Sequence, residues 1–190
     1  MTKDDEIDER SIILRCQKGD KQIYGRLVEK YMKRAYFTAL GLVGIHDGAL
    51  DLSQDAFVRA YRSINKLDAN RKFFTWYYQI LRNLCFNYLR DNARHARPFS
   101  EIGDNQIDTI IDSSQDSSLE VEQNEMKEAL WKAMDTLKPH EREIIMLKDF
   151  QEMSYKEIAE SLDCPIGTVM SRLFTARQVL KSKLESYFND

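Results

Sequence analysis

Residues 98–124, PFSEIGDNQIDTIIDSSQDSSLEVEQN, hold seven acids and no base among many Ser, Asn and Gln. A tract this polar has too little apolar surface to offset its own ordering entropy. Ile107, Ile110 and Ile111 can dock locally but cannot build a core. The chain is therefore expected to fold as two blocks, residues 1–97 and 125–190, joined by a flexible acidic linker over 98–124.

Both blocks read as helical. Ile23, Leu27 and Tyr31 recur every four residues, and Leu52, Ala56, Phe57, Ala60, Tyr61 and Ile64 form a second apolar stripe. Gly41, Gly44 and Gly48 are expected to mark the break between those helices, and a polar loop over 65–71 leads to a helix starting near Lys72. Beyond the linker, one helix should end near Leu137, before Lys138-Pro139, and another should cover about His140 to Asp149. Ser154 then opens SYKEIAESL with Glu157 at the third helical position, the pattern of a capping box. No strand-like alternation and no repeat is present, so the expected class is all-α: two small helical domains, the second containing a helix-turn-helix.

The formal net charge of -3 conceals an uneven distribution. Residues 10–97 carry 17 Lys/Arg against 7 Asp/Glu, whereas 125–190 carry 10 against 12. A basic first block points to a polyanionic partner. Cys16, Cys85 and Cys164 are odd in number and widely spaced, which suits reduced thiols in a cytoplasm. With His46, His95 and His140 equally scattered, no metal or other cofactor is expected. The chain shows no secretory start and no apolar run of membrane-spanning length, so a cytoplasmic protein without membrane insertion is expected. No convergent acid, base or nucleophile set suggests an enzyme.

Two stretches carry the functional reading. In SYKEIAESLDCPIGTVMSRLFTARQVL, Ile158, Ala159 and Leu162 give one helix a buried side, and Val169, Leu173 and Ala176 do so for the next. Such a pair lays its second helix in the DNA major groove, early residues toward the base edges. Those residues are Thr168, Met170, Ser171 and Arg172, with Phe174, Arg177 and Lys181 further along. No acid falls between Pro165 and Glu185, which favours a phosphate backbone. An ordinary helical hairpin with a solvated basic face satisfies the same pattern.

The other stretch, FFTWYYQILRNLCFNYLRDN (73–92), has seven rings in twenty positions. At the helical period Trp76, Tyr77, Ile80, Leu81, Leu84 and Tyr88 share one face, expected to be core. Gln79, Arg82, Phe86 and Arg90 share the other, with Asn83 and Asn87 at the border. Exposed rings beside cations suit unpaired nucleic acid, because rings stack on bases and cations follow the backbone. Lys72, Phe73, Arg82, Asn83, Phe86 and Asn87 are thus candidates for holding a single strand, with the 66–72 loop as a wall for an extruded base. A merely solvated helix face is the alternative.

Together these motifs resemble the extracytoplasmic-function (ECF) sigma factors of bacterial RNA polymerase, over nearly the whole chain. DLSQDAFVRAYRSI (51–64) resembles the family's polymerase-binding helix, and residues 73–90 resemble its promoter −10 segment. LKPHEREIIMLKDFQEMSYKEIAESLDCPIGTVMSRLFTAR resembles its −35-binding domain. The resemblance implies a factor that binds core polymerase through the β and β′ subunits. Asp51, Gln54, Asp55 and Phe57 would dock there. It implies capture of the melted −10 strand around Asn83, and −35 duplex contact through Thr168, Ser171, Arg172 and Arg177. It also implies an anti-sigma partner, and a linker threading channels otherwise filled by RNA. The chain departs from the family pattern at Met170 and Thr175, where bases are common, and at Tyr77, Tyr78 and Gln79, where Leu-Tyr-Arg is usual. A stand-alone helix-turn-helix regulator and a pure interaction protein are the competing classes.

Overall fold

The computed structural model describes residues 8–92, 126 and 129–189, with side chains through 186. The linker expected over 98–124 lies outside the described residues.

The first helical set has four helices: α1 (Glu9–Gln17), α2 (Lys21–Val43), α3 (His46–Ser63) and α4 (Phe73–Asp91). Asp20 starts α2 by accepting a hydrogen bond from the Ile23 N–H at 3.2 Å. The four-residue spacing of Ile23, Leu27 and Tyr31 continues through Ala35 and Ala39, and all five are buried. Gly44, at φ 72°, closes α2 in the left-handed conformation that glycine adopts without steric cost. Gly44 alone makes the break: Gly41 sits inside α2 and Gly48 inside α3. Helix α3 buries Ala49, Ala56, Phe57 and Ala60 and runs into a 3-10 turn, Ile64–Lys66.

Helix α4 begins at Phe73, whose N–H donates to Glu9 Oε1 at 2.8 Å. Glu9 also accepts from Lys30 Nζ at 2.8 Å and Tyr31 Oη at 2.5 Å. Burial acts to raise the Glu9 carboxyl, but these donors outweigh it and hold it below its ordinary value. One acid from α1 thereby ties the start of α4 to α2.

The second set comprises α5 (residues 129–135), α6 (Pro139–Ile145), α7 (Tyr155–Leu162) and α8 (Ile166–Asn189). Pro139 opens α6, whose last turn widens into a π-helical turn, Met146–Phe150. The capping box at α7 forms as expected: Ser154 Oγ accepts from the Glu157 N–H at 3.3 Å, and Glu157 Oε2 accepts from the Ser154 N–H at 2.8 Å. Asp163 turns the chain at φ 49°, and α8 buries Val169, Leu173 and Ala176 against α6 and α7.

The all-α class and the helix-turn-helix are present as expected. The two helical domains are present too, and the two sets share one apolar core. It runs from Leu27 and Phe74 through Met146 and Met153 to Ile158 and Val169 without interruption. Gly41 permits a close approach: a Cβ there would lie 2.3 Å from Met146 Cε. The missing side chain on α2 is the space that Met146 fills. Among the described residues no helix is long and apolar enough to cross a membrane.

Candidate nucleic-acid interface

Helix α4 is buried on two sides rather than one. Tyr77, Leu81 and Leu84 pack into the first set as expected, while Trp76, Ile80 and Tyr88 are only half-buried. Tyr78 and Cys85, absent from the expected core face, are fully buried. The reason is that α7 packs on α4 and Glu143 of α6 takes the Tyr78 hydroxyl, so a second wall covers part of the side expected to face solvent. The excess of aromatic residues in this helix thus serves two packing surfaces.

Phe73 requires a correction. Expected at an open entrance, its ring is 0% exposed. It stacks on Tyr31 at 5.6 Å and Tyr77 at 5.7 Å between centroids. A ring enclosed on both faces has none left for a base. Phe57 is corrected likewise: it is 7% exposed and lies 4.5 Å from the Tyr77 ring, inside the core rather than on a docking face. Asp51 and Gln54 are exposed and Asp55 half-buried, one helical turn apart on α3. Asp55 pairs with Arg59 at 2.9 Å, an exposed i,i+4 bridge worth only a few tenths of a kcal/mol.

The cationic half of the α4 face meets acids of the second set. Glu143, from α6, is 2% exposed and accepts from Tyr78 Oη at 2.5 Å. Its two oxygens also take Arg82 Nε at 2.5 Å and Nη2 at 3.3 Å. Burial and the Glu143 carboxylate together push the Tyr78 hydroxyl well above its ordinary value, so it stays protonated and donates. Arg82 also stands over the half-buried Phe86 ring, 4.7 Å from its centroid. At the helix start Lys72 Nζ lies 2.6 Å from Glu157, and Arg71 lies 3.5 Å from Glu160. Burial tends to raise the Glu157 carboxyl, yet Lys72 and the Ser154 cap pull it down to about 2. Gln79 Nε2 donates to the Glu160 carbonyl at 3.0 Å, and Arg34 donates to Gln151. Asn83 and Asn87 point away from this closure and are exposed.

Sequence reasoning missed this closure. Tyr78 and Glu143 are 65 positions apart, and no local periodicity links them. The available signal was compositional: a helix with this many rings has more apolar surface than one packing face can bury.

On α8, Met170, Ser171, Arg172, Phe174, Arg177 and Lys181 are exposed, and Thr168 is half-buried at the first turn. Arg177 pairs with Asp149, and Lys181 lies 3.6 Å from Glu185. Arg172 makes no ion pair among the described residues. Cys164, half-buried against the core at the turn, packs as a small apolar residue.

Helix order, capping and turn thus form an α4 segment and a helix-turn-helix in one chain. The family model for sigma-70 region 2 matches residues 27–95, and that for sigma-70 region 4 matches 127–180. The ECF sigma-E factor of Haemophilus influenzae is 29% identical over 187 residues, covering 95% of this chain and 97% of the relative. The chain belongs to the ECF sigma factors. The sigma-E factor of Escherichia coli K12 is 28% identical over 186 residues, covering 95% and 96%. The fold is shared with CnrH, solved with the cytosolic domain of CnrY: TM-score 0.69, 22% identity, 94% of this chain and 97% of that one. It is also shared with RpoE of Bartonella quintana, solved with the anti-sigma factor NepR: TM-score 0.65, 23% identity, 85% and 96%. This ECF sigma factor therefore directs transcription, and its sigma-70 region 2 and region 4 matches fall on residues 27–95 and 127–180.

Proposed function

We propose that this sigma factor binds core RNA polymerase through the exposed α3 face at Asp51, Gln54 and Asp55. It captures the unpaired −10 strand at α4 and holds −35 duplex on α8. The observation that supports this reading most is the pairing of two exposed polar faces on one chain. Asn83 and Asn87 face solvent on α4, and an acid-free basic face fronts α8. Asparagine offers both donor and acceptor to the edge of a base that has left its stack, and cations on α8 match duplex phosphates.

Lys72 and Arg82 belong to the same −10 surface, but in the closed arrangement Glu157 and Glu143 occupy them. Strand capture accordingly requires region 4 to leave region 2. Polymerase would hold the regions apart and convert two weak DNA contacts into one strong one by effective concentration. A protein of the anti-sigma class, as found with RpoE of Bartonella quintana, is the proposed inhibitor.

Run-off transcription with core polymerase over a genomic template library tests this reading. Specific transcripts should appear only when the chain is added, and none from any template would overturn it. Asn83→Ala should reduce promoter opening at least tenfold while leaving core binding intact. Loss of core binding instead would assign Asn83 to folding.

A further inference from the structure

The two helical sets frame a cavity of about 350 Å³ where they meet. Lys30 and Arg34 of α2, Lys72 and Thr75 line it from the first set, and Met153 and Glu157 from the second. Sites for small organic molecules run from about 300 to 1,000 Å³, so the space suits a ligand at the lower end of that range. Each set contributes part of the wall, and the cavity therefore exists only while the two are packed together.

Most of the charge around the cavity is already paired. Lys30 meets Glu9 at 2.8 Å and Lys72 meets Glu157 at 2.6 Å. Arg34 is the exception, with no ion pair among the described residues. Its Nε and Nη2 donate to Gln151, and its guanidinium lies 4.0 Å from the Phe74 centroid, which leaves Nη1 without an acceptor there. Burial pulls the guanidinium below its ordinary value, and an anion beside it offsets that cost. Thr75 is 3% exposed, yet its hydroxyl has no hydrogen-bond partner among the described residues. Lys30, Arg34 and Lys72 against Glu9 and Glu157 leave one positive charge in excess. The matching occupant carries one negative charge, and Phe74 and Met153 offer its remainder an apolar floor. A phosphate monoester, with about two negative charges, would overfill the site.

We propose that this cavity binds a small organic acid, its carboxylate held by Arg34 Nη1 and the Thr75 hydroxyl, and that the bound acid fastens region 4 to region 2. A ligand whose site spans both regions binds the closed form alone and shifts the population toward it. Closure keeps Glu157 on Lys72, so the acid lowers promoter capture without any protein inhibitor. That consequence rests on the reading above that strand capture requires region 4 to leave region 2.

The test titrates the full chain with butyrate and with benzoate by isothermal calorimetry, each beside its neutral amide at equal ionic strength. At least one acid should bind saturably and about tenfold more tightly than its amide. Arg34→Gln should weaken that binding about tenfold, and Thr75→Val about threefold. Arg34→Gln also loosens the Gln151 contact, so Thr75→Val, which keeps the shape and removes only the hydroxyl, decides the placement. Binding of neither acid, or equal binding of acid and amide, would overturn the site, as would full affinity in Thr75→Val. In run-off transcription with core polymerase, the bound acid should reduce transcripts, and less so with Thr75→Val. An acid that binds the chain as expected but leaves transcription unchanged would uphold the site and overturn the requirement for opening.

Discussion

Asp163 holds the turn of the helix-turn-helix at φ 49° and ψ 53°. Side chains other than glycine, Asn and Asp meet their own backbone there, at about 1–2 kcal/mol. Asp163→Gly should therefore be neutral or stabilising by up to about 1 kcal/mol, and Asp163→Val destabilising by about 1–2 kcal/mol. Urea denaturation checks the order, and a more stable valine variant would contradict it. Tyr78 is the second decisive residue. Removing its hydroxyl leaves the buried Glu143 one donor short, at a cost of about 1–3 kcal/mol in Tyr78→Phe. A change below about 0.5 kcal/mol would mean that Arg82 alone satisfies the carboxylate.

At the scale of elements, α4 and α7 meet start to start through Lys72 and Glu157. The Glu157 carboxyl lies at about 2, below its ordinary 4.5; the Ser154 cap is internal to α7, and the part of the shift owed to Lys72 stabilises the closed form fully above about 4.5. That contribution is lost as pH falls toward about 2, because protonation in the open form then outruns protonation in the closed form. Side-chain carbon NMR should record the low midpoint, and Lys72→Ala should move it up toward 4.5. A midpoint unmoved by Lys72→Ala would place the shift in the Ser154 cap alone. Helix α8 follows a different logic: its inner stripe holds the fold, while Met170 and Phe174 on its outer side stay exposed.

At the scale of the whole molecule, closure depends on Met146 filling the space beside Gly41. Gly41→Ala should loosen the closed form even though alanine is the better helix former. Adding Met146→Ala should recover compactness relative to the single variant by vacating the space. Small-angle scattering reads both outcomes as a radius of gyration that rises and then falls back. An unchanged radius in Gly41→Ala would show that Met146 swings aside at no cost.

What the sequence by itself determined is local or compositional. Helical periodicity, the Ser154–Glu157 cap, the turn before Pro165 and the inner stripe of α8 rest on residues within a few positions of one another. Near-neighbour sterics and hydrogen bonds suffice to specify them. The family, too, was legible from motifs in order along the chain. Only the tertiary structure decided that Phe73 and Phe57 are core, that Tyr78 meets Glu143, and that region 4 covers the cations of region 2. Those pairings join residues far apart in sequence, and which apolar surfaces meet depends on shape complementarity between assembled helices. The placing of Gly41 under Met146 is of that kind, since a missing side chain acquires meaning only from what fills its place.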